Sequence, residues 1–234
     1  MKKKIVILTI ILTTLLFITG CDKKEKNEEK NNNTTGGWEI LLTSNTEMLD
    51  DETIKIFNDA TSKYTKEKLE YVALLGEQVV AGKNYMFLAK GYKKGEEDNA
   101  TYKVVVIYND LEDKSSVTSV SEFDITEYAN KNISDSSEDV VGGWEVEIPG
   151  KPIMLDEEVQ IIFDNATLDT QGISYYPIAT LGKQIVSGTN YAVLCFGRKE
   201  DGKEGIYLLT LYEDLSNRRE LISEAYIDLS HYNR

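Results

Sequence analysis

The sequence predicts an α+β fold built twice along one chain, each half an antiparallel sheet of four to five strands packed around one helix. Three observations lead there. Residues 36–130 and 142–234 repeat one another, each repeat holds one stretch of helical periodicity, and each continues into three or four long strand-like stretches separated by glycines and charged loops. GGWEILLTSNTEMLDD, starting at Gly36, matches GGWEVEIPGKPIMLDE, starting at Gly142, an offset of 106. The offset carries Ile56-Phe57 onto Ile162-Phe163, Gln78 onto Gln184, Gly82 onto Gly188 and Asn84-Tyr85 onto Asn190-Tyr191. Beyond Gly91 and Gly197 it falls to 104, so that Tyr108-Asn109-Asp110-Leu111 meets Tyr212-Glu213-Asp214-Leu215 and Asp124-Ile125 meets Asp228-Leu229. A two-residue deletion in a loop explains the change.

Ahead of the repeats lie an address and a tether. Lys2, Lys3 and Lys4 form a basic start, and Ile5 to Phe17 is apolar apart from threonines, too short to span a bilayer comfortably. Residues 1–20 read as a signal peptide. Ile18-Thr19-Gly20-Cys21 resembles the bacterial lipobox, which implies lipidation, with palmitate among the acyl chains, at Cys21. A diacylated cysteine holds a protein on a membrane surface, so the expected location is the extracytoplasmic face of the cell membrane. From Asp22 to Thr35 no residue is apolar, and the segment cannot bury a core. It is expected to be a disordered tether of balanced charge.

Within each repeat, Trp38 to Leu42 and Trp144 to Ile148 alternate as a first strand. Asp50 and Asp156 are placed as helix N-caps, each followed by acidic residues that suit the positive end of a helix dipole. Thr53, Ile56, Phe57, Ala60 and Tyr64 form one helical stripe, as do Val159, Ile162, Phe163 and Ala166. Strands follow over Leu69 to Val80, Asn84 to Tyr92, Tyr102 to Tyr108 and Ser116 to Ile125, with matching segments in the second repeat. Residues 131–141 are the expected linker between two domains.

Composition removes several functions. With 26 Lys+Arg against 40 Asp+Glu, the net charge is −14, which argues against a nucleic-acid partner. One histidine, His231, and two cysteines, Cys21 and Cys195, give no material for a histidine-based triad or a multi-histidine metal site. No enzyme activity, cofactor or metal is expected. Cys195 alternates with Tyr191 and Val193 and aligns with Ala89, which suits a buried strand thiol. Glu96-Glu97-Asp98 lacks the spacing of a calcium loop and reads as solvated surface.

Gln78-Val79-Val80-Ala81-Gly82 resembles the QxVxG hairpin of the cystatin and stefin family, and Gln184-Ile185-Val186-Ser187-Gly188 repeats it. Each match lies 41 residues after the second glycine of a pair, Gly36-Gly37 and Gly142-Gly143. The resemblance implies two cystatin-like domains that occlude the clefts of papain-like cysteine proteases with a three-part wedge. Its parts would be the segments at Gly36-Gly37 and at Val140-Val141-Gly142-Gly143, the two QxVxG hairpins, and second hairpin loops carrying Leu111 and Leu215. The second loops depart from the family pattern: proline is gone and leucine remains. On this reading a bulky residue at Gly188 weakens binding without unfolding the domain. The alternative is a non-inhibitory lipoprotein that uses the same scaffold to bind an envelope protein or to serve a structural role.

Overall fold

A computed structural model describes residues 38–39, 51–129, 145–146 and 155–232, all within a compact unit spanning Asn33–Arg234. The first repeat contains β1 (Trp38–Glu39), α1 (Asp51–Thr61), β2 (Lys68–Val80), β3 (Gly82–Tyr92), β4 (Thr101–Asn109), β5 (Ser115–Glu122) and α2 (Thr126–Ala129). The second contains β6 (Glu145–Val146), α3 (Glu157–Thr167), β7 (Ile173–Val186), β8 (Gly188–Lys199), β9 (Glu204–Asp214) and β10 (Arg219–Ile227). Each repeat makes one antiparallel sheet in sequence order, β1-β2-β3-β4-β5 and β6-β7-β8-β9-β10.

The helices form where the apolar stripes fall. Thr53, Ile56, Phe57 and Ala60 are the buried residues of α1, and Val159, Ile162 and Phe163 those of α3. Asp156 caps α3 by accepting a 2.9 Å hydrogen bond from the Val159 N–H, satisfying one of the donors that a helix start leaves unpaired. The Asp50 cap lies outside the described residues.

Strand residues then sort by parity. On β3, Tyr85, Phe87 and Ala89 pack with α1, whereas Met86 and Leu88 face the other way. On β8, Val193 and Cys195 pack with α3, whereas Ala192, Leu194 and Phe196 face away. The residues facing away from the helices in both repeats join one cluster that also holds Val104, Val106, Ile206 and Leu208. The two sheets therefore bury their inner faces against each other, and a helix covers the outer face of each, giving layers in the order helix, sheet, sheet, helix.

This corrects the expectation of an α+β fold made of two cystatin-like domains, each packed around its own helix. The chain is predominantly antiparallel β structure, and its largest apolar cluster lies between the sheets and draws on both repeats. The physical reason is that each central strand is apolar on both faces, and one helix can cover only one of them.

The seam between the sheets is close to two-fold. Tyr128 and Tyr232 are equivalent at the 104-residue offset, and their hydroxyls meet at 3.0 Å. A self-complementary contact between equivalent residues is what an isologous interface produces. Each tyrosine follows the same local turn. Asp124 Oδ1 accepts from the Thr126 N–H at 2.8 Å, and Asp228 Oδ1 accepts from the Ser230 N–H at 2.9 Å. Burial, then the neighbouring Tyr128 hydroxyl, pushes the Tyr232 hydroxyl above its ordinary range.

Candidate functional site

The two QxVxG segments each close a hairpin. Val80 pairs with Gly82 across Ala81, and Val186 pairs with Gly188 across Ser187. Inside each hairpin the glutamine has a structural partner: Asn84 Nδ2 donates to Gln78 Oε1 at 2.6 Å, and Asn190 Nδ2 donates to Gln184 Oε1 at 2.8 Å. Gln78, Gln184 and Asn190 are buried, so these bonds satisfy amide groups that water does not reach.

The glycines are required by two independent constraints. Gly82 has φ +116° and Gly188 φ +131°, a region that side chains rarely adopt. A Cβ at Gly82 would stand 2.4 Å from the Asn109 carbonyl oxygen, and one at Gly188 2.3 Å from that of Glu213. Tyr108 then donates its hydroxyl to the Ala81 carbonyl, and Tyr212 donates to the Ser187 carbonyl at 2.6 Å. These tyrosines lock the turns and are not among the expected site residues. Their signal was present in the sequence, since Tyr108 and Tyr212 repeat in register just before the second loops. Against the expectation that a bulky residue at Gly188 leaves the domain folded stands the collision of any added side chain with backbone of the adjacent strand.

Close contact with Asn109 and Asp110 sets the β4–β5 loop beside the β2–β3 turn, and Glu213 and Asp214 do the same in the second repeat. Asp110 Oδ1 accepts the N–H groups of Glu112 and Lys114 at 2.8 and 2.9 Å, and Asp214 Oδ1 those of Ser216 and Arg218 at 2.7 and 2.8 Å. These backbone donors hold both carboxyls below the usual carboxylate range. At each sheet end the apolar side chains remain outside: Val79, Val80 and Leu111 are 49, 40 and 83 % exposed, and Ile185, Val186 and Leu215 are 57, 41 and 87 % exposed.

β1 runs antiparallel to β2 with Trp38 opposite Gln78, and β6 pairs Glu145 with Lys183, so the amino end of each first strand is its end nearer the turn. Gly36, Gly37, Val140, Val141, Gly142, Gly143, the signal peptide, the tether and Cys21 lie outside the described residues. Cys195 is fully buried, with Sγ 3.6 Å from the Val193 carbonyl oxygen, and burial pushes its thiol well up. His231 is exposed, 4.0 Å from Asp228. Glu97 to Asn99 form an exposed 3-10 turn between β3 and β4. Among the described residues no group of acidic, histidine or cysteine side chains is arranged to hold a metal, and no helix is long and apolar enough to cross a membrane. The chain matches no protein-family model and no curated protein.

Proposed function

We propose that this is a membrane-anchored, extracytoplasmic lipoprotein whose two hairpin ends reversibly occlude the active-site clefts of papain-like cysteine proteases. One observation carries the reading. Folding accounts for Gln78, Asn84 and Gly82 and for their counterparts, but it gives no reason for Val79, Val80 and Leu111, or Ile185, Val186 and Leu215, to cluster exposed at the sheet ends. Exposed apolar residues grouped at one end of a sheet are what insertion into an apolar cleft requires. Occlusion needs no acid, base or metal on the inhibitor. The resemblance to the QxVxG hairpin supplies the protease class, and the lipobox-like segment at Cys21 supplies the anchor.

The second reading, a binding lipoprotein that holds an envelope protein without inhibiting anything, is favoured by the hydrogen bonds and backbone contacts that account for the glutamines and glycines through folding alone. Titrating papain with the chain from Asp22 onward separates the two. The inhibitory reading expects tight, reversible inhibition that Val80→Arg with Val186→Arg abolishes while the circular dichroism spectrum is unchanged. Absence of inhibition at tens of micromolar overturns it and leaves the envelope-binding reading.

A further inference from the structure

The two ends present matched apolar tips on opposite electrostatic grounds. Residues 77–83 and 109–115 of the first end correspond by register to 183–189 and 213–219 of the second. Glu77, Asp110, Glu112 and Asp113 against Lys83 and Lys114 leave the first at −2, whereas Glu213 and Asp214 against Lys183, Arg218 and Arg219 leave the second at +1. One reversal and two losses of charge fall beside the apolar residues. Glu77 is replaced by Lys183 next to the QxVxG glutamine, and Glu112-Asp113 by Ser216-Asn217 just after the exposed leucine.

The remaining cations of the first end are engaged: Lys83 pairs with Glu77 at 3.1 Å, and Lys114 pairs with Glu112. At the second end Arg219 pairs with Glu213 at 2.8 Å and Arg218 reaches outside the window to Glu220 at 2.9 Å. Backbone shape does not require the difference. Asp113 and Asn217 occupy the same left-handed position, φ 59° and 62°, which both residue types tolerate.

We infer that the two ends are addressed to two different clefts, the first to one rimmed by lysine and arginine, the second to one with a neutral or acidic rim. This deepens the occlusion reading and rests on it. Charges at the rim of an interface act mainly on association rate and on the choice of partner, and they act less as salt rises.

The test uses the whole chain from Asp22, with one end blocked at a time. Val186→Arg leaves the first end and Val80→Arg the second. Association rates are measured with papain and with papain whose lysines have been succinylated, which replaces ammonium by carboxylate at an unchanged cleft. The first end is expected to favour unmodified papain by roughly tenfold at low salt and by less than about twofold near 0.5 M salt. The second end is expected to show no preference or the reverse one. Exchanging the charges, E112S with D113N in the first end and S216E with N217D in the second, is expected to move each preference toward that of the other end. Equal preferences at the two ends, or exchanges that leave them unmoved, overturn the inference while occlusion stands. Failure of both single-end chains to slow either form of the protease overturns occlusion itself and this inference with it.

Discussion

Gly91 and Gly197 occupy the same place in the two repeats and are covered in different ways. A Cβ at Gly91 would meet the stem of Lys103 at 2.6 Å, and one at Gly197 would meet the ring of Tyr207 at 2.5 Å. Lys103 is buried by its stem and pairs with Glu67 at 3.6 Å and with Glu122. In the second repeat Tyr226 replaces Glu122, and Tyr175, Tyr207 and Tyr226 run edge to face at 5.7 and 5.5 Å between ring centres. One backbone notch thus takes either a snorkelling lysine with its ion pairs or an aromatic ladder. The comparison teaches that the repeat specifies a shape on the outer face and leaves its chemistry free. At the seam, by contrast, both repeats place a tyrosine at the point of contact.

The largest expected effect tests how far the repeats are separate at all. Leu88→Ala or Leu194→Ala, both in the layer between the sheets, is expected to cost about 2–5 kcal/mol. Calorimetry should show one transition that shifts as a whole for either variant. Two transitions, of which only one shifts, would make the repeats independent domains.

Next comes the notch. Tyr207→Ala removes a buried ring and is expected to cost about 3 kcal/mol. Lys103→Met combined with Glu67→Gln keeps the stem and removes the buried part of the ion pairing as a whole, so denaturant unfolding should change by no more than about 1 kcal/mol. Equal losses would mean that the ion pairs, and not the stem, support the first repeat.

A smaller difference is expected inside the hairpins. Replacing Gln78 or Gln184 by Leu strands the partner asparagine, at about 1–3 kcal/mol. The second repeat should lose more, because Asn190 is buried and its Nδ2 bond to Gln184 is lost where its Oδ1 already accepts nothing, whereas Asn84 is only half-buried. Equal losses in urea titrations would contradict that ranking.

The smallest effect concerns the loops. The carboxyls of Asp110 and Asp214 are held below their ordinary value when folded. Their contribution is therefore complete above that ordinary value and is lost as pH falls through the lowered one. Protection of the Glu112, Lys114, Ser216 and Arg218 amides, measured against their intrinsic exchange at each pH, should fall in acid before the core opens. Exchange that rises only with global unfolding would assign these carboxylates no local role.

The sequence makes the repeat, the helical stripes and the strand order legible, because each is a local periodicity. Four-strand continuity after the helix follows from Gly82 and Gly188 at the turns and from charged loops elsewhere. An α+β reading misses the layer between the sheets, although the sequence carries its signal. MFLA in β3, VVVI in β4 and AVLCF in β8 are continuous apolar runs without alternation, the pattern of strands covered on both faces. A helix accounts for one face of such a strand and leaves the other to be buried elsewhere. The short helix α2 and the Tyr128–Tyr232 contact carry no comparable local signal, since their burial depends on the opposite repeat.

At the candidate site, the hairpins and the exposed leucines were legible by motif, and the structure places them side by side at each sheet end. Sequence alone does not separate the glutamines and glycines, which the fold needs, from the valines and isoleucine, which it does not. That separation depends on a buried amide bond and on a carbonyl oxygen close to an absent Cβ.

The most direct test of that separation is hydrogen exchange on the chain from Asp22 in the presence of an active-site-blocked and an open papain. The account predicts slowed exchange over residues 79–83 and 109–115, or their counterparts 185–189 and 213–219, with the open enzyme alone. Protection confined to another surface, or identical with the blocked enzyme, would contradict it.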